Sequence, residues 1–144
     1  MIFTNSDGGC RGNPGPGAIG VVVRDEKTIL TKYSAFIGRR VTNNIAEYEA
    51  LIKALELASK FGKEVTCFLD SELVVNQLLG KYKVKNSNLL PLFLKVQKLQ
   101  DNFEQIIYKH VMRWDNYQKI ADEILNEELS KRGFYKKTFF KKRR

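Results

Sequence analysis

A chain of 144 residues with a 43% hydrophobic fraction has the length of one domain and enough apolar material for a core. It holds no apolar run of the roughly 18 residues a membrane span needs. Met1-Ile2-Phe3-Thr4-Asn5 does not open like a secretory signal, and two cysteines, Cys10 and Cys67, argue against a disulfide framework or zinc site, so a reducing, cytoplasmic setting is expected. The net charge is +9, and 8 of the 25 basic residues fall in Lys131 to Arg144, which has no acidic residue. The first 130 residues carry 17 basic against 16 acidic side chains and are nearly neutral. Such a tail calls for a polyanion, nucleic acid ahead of a membrane surface.

Met1 to Ser6 is predicted as a first strand running into Asp7. A turn-rich stretch from Gly8 to Gly17 follows, then a strand over Ala18 to Arg24, a turn at Asp25-Glu26-Lys27 and a third strand over Thr28 to Ile37. Strands this close in sequence pair as an antiparallel meander. Thr42-Asn43-Asn44 caps a helix in which Ile45, Tyr48, Leu51, Ile52 and Leu55 recur at helical spacing to about Phe61. Val65 to Leu69 is a buried strand ending at Asp70, parallel to the first if the helix crosses over. Ser71 caps a short helix over Glu72 to Leu79. Leu89 to Leu99 is a further helix with Pro91 in its first turn. Phe103 to Val111 is the fifth strand, and Tyr117 to Leu129 the last amphipathic helix. The order β-β-β-α-β-α-α-β-α describes an α/β domain: a five-stranded mixed sheet, three antiparallel strands and then parallel ones, flanked by helices.

Four carboxylates stand at the ends of these elements. Asp7 and Asp70 end strands one and four, which parallel pairing would bring side by side at the edge where α/β sheets place their sites. Glu47 falls in the first turn of the first helix, where the helix dipole favours a negative charge, and Asp122 lies early in the last helix. Carboxylates gathered together repel one another unless a cation joins them. Oxygen ligands without His or Cys suit Mg²⁺, with Mn²⁺ as the alternative. Two such ions can activate a water and stabilise the leaving oxygen in phosphodiester hydrolysis. Each acid also has an ordinary reading: Asp7 as a turn residue, Glu47 as a helix N-terminal charge, Asp70 as a helix cap, Asp122 as a solvated helix residue.

Asp7-Gly8-Gly9-Cys10-Arg11-Gly12-Asn13-Pro14-Gly15-Pro16-Gly17 resembles the opening strand and turn of the type 1 ribonuclease H family. Thr42 to Leu51, Leu69 to Leu78 and Ile120 to Asn126 are similar to its first helix, its fourth strand with the following helix, and the Ala-Asp motif of its last helix. The motifs keep the family's order and spacing from Asp7 to Asn126. The resemblance implies the ribonuclease H fold and a catalytic domain over residues 1–130, followed by a basic, aromatic-containing tail over 131–144. It implies an endonuclease that cuts the RNA strand of RNA–DNA hybrids with two divalent ions, leaving 5′-phosphate and 3′-hydroxyl ends. The metal-binding catalytic acids fall on Asp7, Glu47, Asp70 and Asp122. Family residues that touch the hybrid near its 2′-hydroxyls match Cys10, Asn13, Asn44 and Glu72, the last standing where Gln is common. The 2′-hydroxyl is what separates RNA from DNA at such a contact. Turn chemistry before Pro14 is the ordinary reading of Asn13.

The chain departs from the pattern in three places. Many relatives carry a histidine on the loop before the last helix; here the single histidine, His110, falls in the fifth strand and reads as structural. Arg113 on that loop is a candidate phosphate contact but stays protonated and cannot act as a base. Trp114 beside it reads equally as packing or as a stacking residue. Lys81, Lys83 and Lys85 are too few for the basic protruding helix of some relatives, so the form without the protrusion is the closer match. The tail interleaves Phe134, Tyr135, Phe139 and Phe140 with Lys136, Lys137, Lys141, Lys142, Arg143 and Arg144, a pattern that fits phosphate contacts and stacking, or aromatics packed on the domain with solvated charges. Cys10 lines the turn, and Cys67 is core filler.

The expected protein is a monomeric hybrid-cutting nuclease with no membrane association. One alternative keeps the fold and metals but also cuts double-stranded RNA. Another is a non-catalytic nucleic-acid-binding module. A piece of a larger reverse transcriptase or transposase is disfavoured by the start and tail.

Overall fold

The computed structural model describes residues 1–136. Nine elements follow in chain order: β1 (Ile2–Cys10), β2 (Gly15–Arg24), β3 (Ile29–Val41), α1 (Asn43–Ala58), β4 (Glu64–Leu69), α2 (Glu72–Leu78), α3 (Leu90–Gln100), β5 (Gln105–His110) and α4 (Asn116–Lys131). The element order is the expected one. The strands form one sheet in the order β3-β2-β1-β4-β5. β1 to β3 form the antiparallel meander, and β4 joins β1 and β5 in parallel.

Several element ends differ from the sequence reading. β1 does not stop at Asp7 but runs on to Cys10, because Gly8, Gly9 and Cys10 keep pairing with Ile19, Ala18 and Gly17. Its parallel partner leaves earlier: the last β1–β4 pair is Ser6 with Leu69. β1 and β4 therefore part just before Asp7 and Asp70. β2 begins in the glycine-rich stretch, at Gly15, and β3 extends to Val41. The Thr42 hydroxyl caps α1 by accepting the Ile45 N–H at 3.2 Å, and Ser71 caps α2 through the Val74 N–H at 3.3 Å, both as expected. α1 stops at Ala58 rather than at Phe61.

The two long flanking helices lie on opposite faces of the sheet, and glycines let both approach closely. A Cβ on Gly8 would lie 2.1 Å from the Ala46 carbonyl carbon of α1. A Cβ on Gly20, which pairs with Asp7 and so belongs to the other face, would lie 2.0 Å from the Ala121 oxygen of α4. On the α1 face the core holds Val21, Val23, Tyr48, Leu51, Leu55, Val65, Leu69 and Val96, with Cys67 among them. On the α4 face Ala18, Leu125 and Leu129 form a smaller cluster against Phe36 and Phe134.

α4 is tied to β1 by polar groups as well. Gln118, fully buried, donates from Nε2 to the Ser6 carbonyl at 2.8 Å and accepts from Asn5 Nδ2 at 3.2 Å. Asp115 caps α4 by accepting the Tyr117 and Gln118 N–H groups, each at 3.1 Å, and also takes a long bond from Asn5 Nδ2 at 3.4 Å. Among the described residues, no helix is long and apolar enough to cross a membrane.

Candidate active site

Where β1 and β4 part, three carboxylates converge. Asp7, Glu47 and Asp70 each offer an oxygen within 4.8 Å of the others. Asp7 and Asp70 come from the neighbouring strands, as strand pairing required. Glu47 arrives from α1, whose close approach at Gly8 lets the Gly8 N–H donate to Glu47 Oε1 at 2.8 Å. Glu47 is not in the first turn of the helix: it lies five residues past the Thr42 cap, and no acid stands in that turn. What positions it is this hydrogen bond rather than the dipole.

Burial and mutual repulsion act together on these acids. Asp7 and Glu47 are each only 7% exposed. Burial, followed by the adjoining Glu47, holds the Asp7 carboxyl well above the ordinary carboxylate range; Asp70 and Asp122 push the same way. Burial pushes Glu47 up to about 7, against the lowering effects of its hydrogen-bonding partners. Burial also raises Asp70, while Arg113 and His110 pull it down. Glu47 Oε2 is buried and has no hydrogen-bonding partner. Adjoining acceptors with no donor between them need either a shared proton or a cation. The oxygen-only donor set and the unpartnered Oε2 fit a hard divalent ion.

Asp122 stands apart. It lies in the second turn of α4 and outside the group of three, with its carboxylate and its carbonyl both accepting from Asn126 Nδ2, at 3.1 and 2.8 Å. It does face the same cavity of about 670 Å³, whose walls include all four acids together with Cys10, Asn44 and Arg113. The expected quartet is thus a set of three with a fourth acid across the hollow.

Of the remaining candidates, Asn13 and Glu72 do not line this cavity. Asn13 Oδ1 accepts the Asn43 N–H at 3.0 Å, which ties the glycine-rich turn to the start of α1. Glu72 is exposed on the rim of a neighbouring hollow. His110 is exposed at the end of β5, with Nε2 3.2 Å from the Asp70 carbonyl oxygen. Lys136 lines the cavity, whereas Lys137, Lys141, Lys142, Arg143 and Arg144 lie outside the described residues.

Sequence reasoning missed three contributors. Asn43 takes the Cys10 thiol hydrogen bond at 2.9 Å, Lys119 brings a cation to the wall, and Arg11 donates from Nε to the Phe134 carbonyl at 3.2 Å. Lys119 was detectable, three residues before Asp122 on one helix face. Asn43 and Arg11 depend on long-range contacts and gave no local signal.

The model of the reverse transcriptase-like family matches residues 5–126. A ribonuclease H of Neorickettsia sennetsu is 32% identical over 144 residues, covering 89% of this chain and 91% of the relative. The chain belongs to the type 1 ribonuclease H family. LC11-RNase H1, solved in complex with an RNA/DNA hybrid, superposes on this ribonuclease H-like fold with a TM-score of 0.84 at 43% identity, covering 92% of this chain and 99% of that one. The bifunctional protein Rv2228c of Mycobacterium tuberculosis is 42% identical over 131 residues, covering 89% of this chain but 35% of its own length. The chain thus spans about a third of that longer relative.

Proposed function

We propose that the protein is an endonuclease that hydrolyses the RNA strand of RNA–DNA hybrids, leaving 5′-phosphate and 3′-hydroxyl ends. The observation that carries this is the meeting of Asp7, Glu47 and Asp70 oxygens within 4.8 Å at the floor of an open cavity. LC11-RNase H1 supports the substrate class, since its structure holds an RNA/DNA hybrid. In this reading Asp7, Glu47 and Asp70 hold two divalent ions, Mg²⁺ or Mn²⁺, with Asp122 completing the set from across the cavity. Bound there, the ions supply Lewis-acid activation of a water and charge stabilisation at the leaving oxygen. The Gly8 N–H fixes Glu47 Oε1 and leaves Oε2 free for a ligand. Arg113 and Lys119 offer positive charge to the phosphates beside the cut. Cys10 and Asn44 stand on the wall where the 2′-hydroxyls of the RNA strand would lie. The enzyme acts as a monomer in the cytoplasm, where Cys10 and Cys67 stay as free thiols.

The test is cleavage of end-labelled RNA–DNA hybrid, RNA–RNA and DNA–DNA duplexes, each with Mg²⁺, Mn²⁺ or chelator. Cutting of hybrid RNA alone, lost in chelator and lost in Asp7→Asn, is the expected result. Cutting that persists in chelator, or in Asp7→Asn, would refute the mechanism. Equal cutting of RNA–RNA would replace strict hybrid specificity with the relaxed reading.

A further inference from the structure

Trp114 is the single tryptophan of the chain, and it is 65% exposed. An indole left in water forgoes the burial that ordinarily makes it useful to a fold. Its place makes the exposure informative. A second hollow of about 350 Å³ lies beside the main cavity, and Asp70, Arg113 and Trp114 are the residues that line both. Trp114 is therefore part of a ridge dividing the two spaces, next to one of the three clustered acids.

The turn that carries it is braced at both ends. The Val111 N–H donates to the Leu69 carbonyl at 2.8 Å, which fixes the exit from β5. The Asp115 N–H donates to the Met112 carbonyl at 3.0 Å, closing the turn around Arg113 and Trp114. The Asp115 carboxylate then caps α4 and receives Asn5 Nδ2. A large apolar ring on a preformed support loses little conformational freedom when something lies against it. A guanidinium and an indole side by side on one ridge match a sugar-phosphate backbone: charge for the phosphate and a flat apolar face for the sugar. Within a duplex the base faces are already stacked on one another, so the sugar is the apolar surface left for such a ring.

We propose that Trp114 contacts substrate directly, its indole packed on the sugar of a nucleotide next to the phosphate at the Asp7, Glu47 and Asp70 cluster, with Arg113 on the adjoining phosphate. This rests on the nuclease reading above. The contact makes no hydrogen bond to a 2′-hydroxyl, so it adds affinity but no preference for RNA.

Because no other tryptophan is present, indole fluorescence reports on this residue alone. The full chain carrying Asp7→Asn is titrated in Mg²⁺ with a dye-labelled RNA–DNA hybrid, reading dye anisotropy and tryptophan emission together. The emission is expected to change in step with the anisotropy. Trp114→Ala is expected to weaken hybrid binding about tenfold and Trp114→Phe less. Both should melt within a few degrees of the unsubstituted chain, because the ring is mostly in solvent. In the active protein, Trp114→Ala should raise KM and leave kcat at saturating hybrid unchanged. Rising anisotropy with unchanged emission, or Trp114→Ala binding as tightly as its parent, would overturn the proposal and leave the nuclease reading standing. No rise in anisotropy at any hybrid concentration would overturn both.

Discussion

Glu47 shows how a single residue is shaped by its neighbours. It is buried and hydrogen-bonded on one oxygen, bare on the other, and pushed up to about 7. An unfolded chain would titrate it near 4.5, so the folded protein binds its proton more tightly than the unfolded one does. Protonation then favours the fold below about pH 4.5, and that contribution is lost as pH rises through about 7. In chelator, the melting temperature is therefore expected to fall over this window, a fall that Glu47→Gln should lessen but not abolish, because Asp7 and Asp70 are raised too, and that Mg²⁺ should offset; a flat profile in the unsubstituted protein would contradict the assignment. Asp70 and Asp122 differ in kind. Asp70→Asn is expected to cost more than about 100-fold in hybrid cleavage, and Asp122→Asn roughly 10–100-fold, measured as kcat/KM. An Asp122→Asn loss as deep as that of Asp70→Asn would mean that the fourth acid closes in when substrate binds. The identities of these acids were legible because each belongs to a contiguous motif. Their unequal standing was not, since it depends on how α4, the helix that carries Asp122, is anchored at its start through Asp115 and Gln118 to β1.

Periodicity identified the elements but did not locate their ends. The i, i+3, i+4 spacing of α1 and the apolar run of β4 are properties of local sequence, and both were read correctly. Strand ends are set by partners distant in sequence. Nothing within Asp7 to Cys10 shows that Gly20 to Gly17 lie opposite to prolong the strand. The buried trio of Asn5, Ser6 and Gln118 was invisible for the same reason: an Asn in a strand and a Gln in a helix look solvated until they face one another. The closeness of α1 to β1 gives an element-level prediction. Gly8→Ala places a methyl 2.1 Å from backbone, which no rotamer change relieves. The strand and helix must separate, so a loss of about 3 kcal/mol or more is expected in denaturant unfolding, along with loss of cleavage as Glu47 withdraws. Unchanged stability would show that α1 can shift freely.

Across the whole molecule, charge and chemistry are segregated. The acids gather at one pole of the sheet, and the excess positive charge collects at the C-terminal end, five of whose basic residues lie in 137–144. The chain reaches that end over the α4 face, where Phe134 stacks on Phe36 with centroids 5.9 Å apart and its carbonyl receives Arg11. Lys136 consequently stands on the cavity wall. Deleting residues 137–144 is expected to weaken hybrid binding and to flatten the plot of log affinity against log salt by about 1 for each cation that meets a phosphate; an unaltered slope would remove the tail from the interface. The Gln118 tie has a consequence for synthesis. Asp7, Glu47 and Asp70 all leave the ribosome before α4 exists, yet the groups that steady β1 beneath them arrive only with that helix. A nascent polypeptide paused ahead of it would carry the acids without their support, so competence to cut should await the emergence of α4.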